Sequence, residues 1–274
     1  MASERTKEDV NEKNKKMKIL CLHGFRTSGG FLKKQISKWD PAIFEHFDLD
    51  FPDGLFPAGG KSEIEGIFPP PYFEWFQFNP DFTEYTNLEE CLAYICEYIT
   101  KNGPFDGYLG FSQGSALSGL LLGYQAQGKV LQDHPPIKLL ISIAGSKFRK
   151  PSIADVAYKE TIKVKSVHFV GAKDWLRMPS EDFATAFEDP VLIRHPQGHT
   201  VPRLDEAAVK QLKNVVKALV EPSKTFVEDE DAKESDEAHL GEEDKPQDVL
   251  GNGKQEEAAL AIKIENREVE AVQG

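Results

Sequence analysis

The stretch Gly110-Phe111-Ser112-Gln113-Gly114 limits what this chain can fold into more than any other feature. It closes an apolar run, Phe105–Phe111, that reads as a strand. It opens a small-residue and leucine-rich segment, Gln113–Gln127, that reads as a helix. A strand that becomes a helix across one residue needs a sharp turn, and glycine on either side lets the backbone crowd there. The serine between them is held clear of the sheet at a helix N-terminus, where the dipole and free N–H groups favour developing negative charge. That is the context of a nucleophile elbow, and it makes Ser112 the candidate nucleophile. A glycine-rich turn capped by a serine would use the same residues without chemistry.

The rest of the chain supplies the sheet such an elbow needs. Apolar runs at Met17–Leu22, Phe47–Phe51, Leu139–Ala144, Val164–Val170 and Pro190–His195 read as strands. Helical patterns at Phe31–Trp39, Asn87–Thr100, Ser180–Phe187 and Leu204–Val220 fall between or after them. Asn87 and Glu90 have the spacing of a capping box. Strand–helix alternation predicts an α/β fold: a mostly parallel sheet with helices on both faces. Ligands in such sheets bind beyond the carboxyl ends of the strands.

A serine nucleophile needs a base, and the base needs an orienting carboxylate. In this fold class they follow in the order Ser, acid, His. Strand Val164–Val170 leads into Gly171-Ala172-Lys173-Asp174, and strand Pro190–His195 into Pro196-Gln197-Gly198-His199. Asp174 and His199 are therefore the expected acid and base; Asp182 and Asp189 are weaker because neither directly follows a strand. An oxyanion hole takes one N–H from Gln113 and a second from the loop after the first strand, with Phe25 preferred and Arg26 the alternative. His23 in that loop is expected to brace it.

Four segments in this order, LHGFRTSG, GPFDGYLGFSQGSAL, HFVGAKDWL and HPQGHTVP, resemble the family of serine hydrolases related to the ovarian-cancer-associated serine hydrolase. The similarity runs over residues 17–220. It implies an α/β-hydrolase core, a Ser112–His199–Asp174 triad, Phe25 and Gln113 at the oxyanion, and hydrolysis of medium- to long-chain carboxylic esters. Where family members carry an Arg-x-Trp-Trp-like element, this chain has Tyr72-Phe73-Glu74-Trp75-Phe76.

Residues 52–86 interrupt the alternation with Pro, Gly and aromatics. Pro69–Pro71 exclude a helix interior or central strand there. Long irregular insertions are more often functional than plain connectors. Phe68, Tyr72, Phe73, Trp75, Phe76 and Phe78 are expected to line an acyl pocket, with core packing as the alternative.

Charge separates the body from the tail. Residues 221–274 hold 17 acids and 6 bases, a net of −11, out of −12 for the whole chain. The near-neutral body gives no support to nucleic-acid binding. The tail has a single aromatic, Phe226, and is expected to be disordered, serving solubility or docking an unknown partner. Residues 1–16 are likewise expected to be a disordered arm. They hold no apolar stretch of a signal peptide, and no run approaches the ~20 apolar residues of a membrane span. Three cysteines without a CxxC spacing fit a reducing compartment, the cytosol with the nucleus left open. Cys21 is expected to be a buried hydrophobe.

Two motifs are set aside. Gly59-Gly60-Lys61-Ser62 resembles the end of a phosphate loop, but Leu55 stands where its first glycine belongs. His195 and His199 have helical metal-ligand spacing, but Pro196 and Gly198 break any helix. No metal or organic cofactor is expected. The expected activity is serine carboxylesterase; a thioesterase or lactone hydrolase would use the same residues, and a non-catalytic ligand-binding or scaffold protein is the reading from another class.

Overall fold

Strands that are apolar at nearly every position must be covered on both faces. The computed structural model, which describes residues 16–220, meets that demand with six parallel strands. The chain runs through β1 (Met17–Leu22), α1 (Gly29–Ile36), a short 3-10 turn at Pro41–Ile43 and β2 (Phe47–Asp50). The insertion contributes β3 (Phe56–Pro57), β4 (Phe73–Glu74), β5 (Gln77–Phe78) and β6 (Tyr85–Thr86). Then follow α2 (Leu88–Asn102), β7 (Gly107–Phe111), α3 (Gln113–Ala126), β8 (Leu139–Ile143) and α4 (Pro151–Ala157). The last elements are β9 (Lys165–Gly171), α5 (Arg177–Ala184), β10 (Val191–His195) and α6 (Glu206–Val220). The main sheet has the order β10-β9-β8-β7-β1-β2.

Alternate strand residues feed two separate cores, as the two-residue period of a strand requires. Leu20, Leu22, Tyr108 and Leu140 pack with Leu117 and Leu121 of α3, Ile95 and Ile99 of α2 and Phe183 of α5. Ile19, Cys21, Ile141 and Phe169 pack with Leu32 and Ile36 of α1 and Leu212 and Val216 of α6. Cys21 is fully buried there, as expected of a small hydrophobe. The strand ends of β1, β7, β9 and β10 all open on one edge of the sheet, because every strand of it is parallel.

Several local expectations differ from the structure. Asn87 makes no side-chain cap: it adopts φ 62°, whereas a capping side chain works from extended backbone. The helix expected at Ser180–Phe187 begins at Arg177, because Pro179 fits inside its first turn, where no helical N–H bond is lost. Helix α4 was not anticipated; Pro151 starts it. The insertion forms two small antiparallel pairs, β3 with β4 and β5 with β6, and no long element. The N-terminal arm and the acidic tail lie outside the described residues.

Candidate active site

Ser112 sits between β7 and α3 with φ 52° and ψ −115°. A non-glycine residue is rare at positive φ, and the surroundings must hold it there. They do so through closeness of backbone. A Cβ on Gly110 would stand 2.4 Å from Ser115 Cα, and one on Gly114 2.1 Å from the Leu22 carbonyl oxygen. The Ser112 N–H donates to the Ile143 carbonyl at 2.9 Å, tying the elbow to β8.

The loops after β9 and β10 bring Asp174 and His199 to the same place. Ser112 Oγ lies 2.9 Å from His199 Nε2. His199 Nδ1 lies 3.0 Å from each Asp174 carboxylate oxygen. A carboxylate only accepts, so Nδ1 carries the proton and Nε2 is left to accept from the serine hydroxyl. Burial works against the Asp174 charge, but hydrogen bonds from His199 and from the Leu176 N–H outweigh it and hold the carboxyl below its ordinary range.

The loop after β1 faces the elbow. The Phe25 and Gln113 N–H groups take part in no backbone hydrogen bond among the described residues. His23 is the brace the sequence suggested: its Nδ1–H donates to the Gly24 carbonyl at 2.8 Å, and Nε2 accepts the Gly54 N–H at 2.9 Å. Burial pulls its pKa down to about 4, and only a neutral ring can accept from Gly54. Arg26, at φ 54°, turns its side chain to the buried Glu74 at 3.1 Å.

A cavity of about 490 Å³ opens over Ser112 and His199. Of the six insertion aromatics expected to line a pocket, Phe76 and Phe78 do so. Trp75 is fully buried, donates from its indole to the His23 carbonyl at 2.9 Å and packs on the His23 ring. The Tyr72 hydroxyl bonds the Phe68 carbonyl, and the Phe73 N–H bonds the Thr27 carbonyl. Trp75 and Phe73 thereby secure the insertion to the loop after β1, and Tyr72 closes a bond within the insertion. The aromatic lining also includes Phe25, Phe82, Tyr85, Phe148 and Trp175. Ring contacts run from Phe25 to Phe78 (4.8 Å), Phe78 to Phe82 (4.7 Å), Phe82 to Trp175 (6.1 Å) and Trp175 to His199 (5.2 Å), an arch across the site.

Sequence reasoning missed the side chain of Gln113. Its Oε1 accepts the Trp75 N–H at 3.0 Å and its Nε2 donates to the Phe76 carbonyl at 2.6 Å, so the residue after the serine clamps the insertion. It also missed Glu74, although an acid inside an aromatic run was a visible signal of a buried partner.

The model of a family described as serine hydrolase (FSH1) matches residues 12–211. An esterase of Aedes aegypti is 31% identical over 214 residues, 73% of this chain and 74% of that protein. A Schizosaccharomyces pombe protein named dihydrofolate reductase is 28% identical over 208 residues, 69% of this chain but 45% of that protein, so the chain spans under half of that relative. The crystal structure of Zea mays acyl-protein thioesterase 2 superposes with a TM-score of 0.52 at 15% identity, covering 76% of this chain and 95% of that one, a likeness of fold.

Proposed function

The chain belongs to the FSH1 serine hydrolase family, and from that premise we propose that it is a carboxylesterase acting on medium- to long-chain acyl esters through Ser112, His199 and Asp174. The observation that carries this reading is the unbroken relay from Ser112 Oγ to His199 Nε2 at 2.9 Å and on to Asp174 at 3.0 Å. Ser112 Oγ attacks the ester carbonyl carbon while His199 Nε2 takes its proton. The carbonyl oxygen becomes an oxyanion facing the Phe25 and Gln113 N–H groups. The C–O bond then breaks, and His199 returns the proton to the leaving alcohol. Water, deprotonated by the same nitrogen, attacks the acyl carbon; the C–Oγ bond breaks, His199 returns the proton to Ser112 Oγ, and the acid leaves. Asp174 holds the ring in the tautomer that each step needs and offsets the imidazolium charge.

The aromatic arch supports an acyl preference. Each methylene moved from water into an apolar pocket is worth about 0.8 kcal/mol, so kcat/KM should rise about fourfold per added methylene until the cavity is full. Labelling with a fluorophosphonate, comparing wild type with Ser112→Ala, tests the nucleophile. A graded series of oxygen esters and acyl-thioesters tests the substrate. Labelling of wild type alone, with oxygen esters preferred and efficiency rising with chain length, is expected. A folded wild type that resists the probe overturns the triad reading; higher efficiency on thioesters overturns the ester assignment.

A further inference from the structure

The cavity carries a charge that the proposed reaction on a neutral ester does not use. Four cations line it, Arg26, Lys61, Lys147 and Arg149, against one acid, Glu63, although residues 1–220 together carry a net charge of only −1. Arg26 is committed to Glu74 at 3.1 Å. Arg149 is not: among the described residues its guanidinium forms no ion pair with a carboxylate, and its one hydrogen bond is a long one to the Asp81 carbonyl, at 3.5 Å. It is nevertheless held in place. Its backbone N–H donates to the Tyr85 hydroxyl at 3.0 Å, and its guanidinium rests 5.8 Å from the centre of the Phe82 ring. Phe82 touches Trp175, and Trp175 touches His199, so the guanidinium rests on the middle ring of the aromatic arch, two ring contacts from the base. Lys147, two residues earlier, bonds Asp182 at 3.1 Å and the Thr185 hydroxyl at 3.0 Å, which leaves one of its three ammonium donors.

We propose that Arg149, with Lys147 beside it, forms an anion subsite at the cavity mouth, and that the substrate is an ester bearing a phosphate or carboxylate several bonds from the scissile carbonyl. This rests on the ester-hydrolase reading of Ser112. A planar guanidinium with free donors suits either oxyanion, by paired charge-assisted hydrogen bonds. The aromatic arch would take the apolar part of the same molecule.

The test uses three hexanoyl esters on one frame: of glycerol, of glycerol 3-phosphate and of glycerate. Expected is a kcat/KM for wild type about tenfold or more higher on the two anionic esters than on the neutral one. That ratio should shrink in high salt. It should fall towards one in Arg149→Gln/Lys147→Gln, and persist in Lys129→Gln, a lysine outside the cavity lining. The phosphate and glycerate arms then tell which anion the subsite takes. Binding of the same esters to Ser112→Ala, followed by tryptophan fluorescence, separates this inference from the reaction. Wild type that cleaves all three esters equally overturns the subsite and leaves the esterase. An anionic preference that survives the double substitution also overturns it. No cleavage, but preferential binding of the anionic esters lost in the double variant, upholds the subsite and overturns the esterase; no cleavage and no preferential binding overturns both.

Discussion

Gln113→Ala should loosen the insertion without touching the serine backbone. The side chain satisfies two backbone groups at once, accepting from Trp75 N–H at 3.0 Å and donating to the Phe76 carbonyl at 2.6 Å. Gln113 is 6% exposed and Trp75 0%, so solvent does not replace the lost partners without movement. A buried backbone group left unpaired costs about 1–3 kcal/mol, so two cost about 2–6 kcal/mol before the insertion relaxes. With partial relaxation we expect about 3 kcal/mol. For a domain of this size each kcal/mol lowers Tm by roughly 2–4 °C, so calorimetry should show a fall of about 6–12 °C. Gln113→Glu is the companion: it keeps the acceptor for Trp75 but sets a carboxylate against the Phe76 carbonyl. The folded state then favours the protonated acid and raises its pKa. The deficit relative to wild type should shrink as pH falls through that raised value. A Gln113→Ala protein that melts within 2 °C of wild type would refute the clamp.

Asp174→Asn should preserve the fold and lower kcat by a factor on the order of 10⁴, since the amide no longer fixes the His199 tautomer; steady-state kinetics on a soluble ester checks it. Gly114→Ala drives a Cβ to 2.1 Å from the Leu22 carbonyl oxygen, rigid backbone, so the loss of stability should exceed the ~1–3 kcal/mol of ordinary overpacking, read as a fall in Tm or in soluble yield. Buried His23, with its pKa lowered to about 4, should make stability depend on pH. The unfolded ring, near 6.5, binds a proton that the folded ring refuses between those values. Stability is therefore full above about pH 6.5 and declines as pH falls towards 4, by up to ~3 kcal/mol, and Tm measured across that range should show the slope.

The sheet and its edge were legible because apolar runs of five to seven residues are strong signals, and because parallel strands must end together. That reasoning placed Ser112, Asp174 and His199 at strand ends, and the structure brings them within hydrogen-bonding distance. The insertion was not legible. An aromatic in a proline-rich stretch packs inward or lines a cavity with the same composition, and only contacts far along the chain decide. Trp75 went inward because its indole found the His23 carbonyl, 52 residues away. Phe82 and Trp175, which do line the cavity, carried no periodic signal at all. The Asn87 cap failed for a different reason: side-chain spacing says nothing of the φ that the preceding turn imposes.

Ser112 and His199 stand 87 residues apart in sequence, and the strand that delivers the histidine is the last to join the sheet in chain order. During synthesis a chain that has emerged only as far as α5 already displays its elbow serine but has nothing to deprotonate it. Reactivity is therefore a property of the finished sheet. A fluorophosphonate applied to ribosome-bound intermediates would count completed sheets, and its onset would time the arrival of β10 at the edge of the sheet.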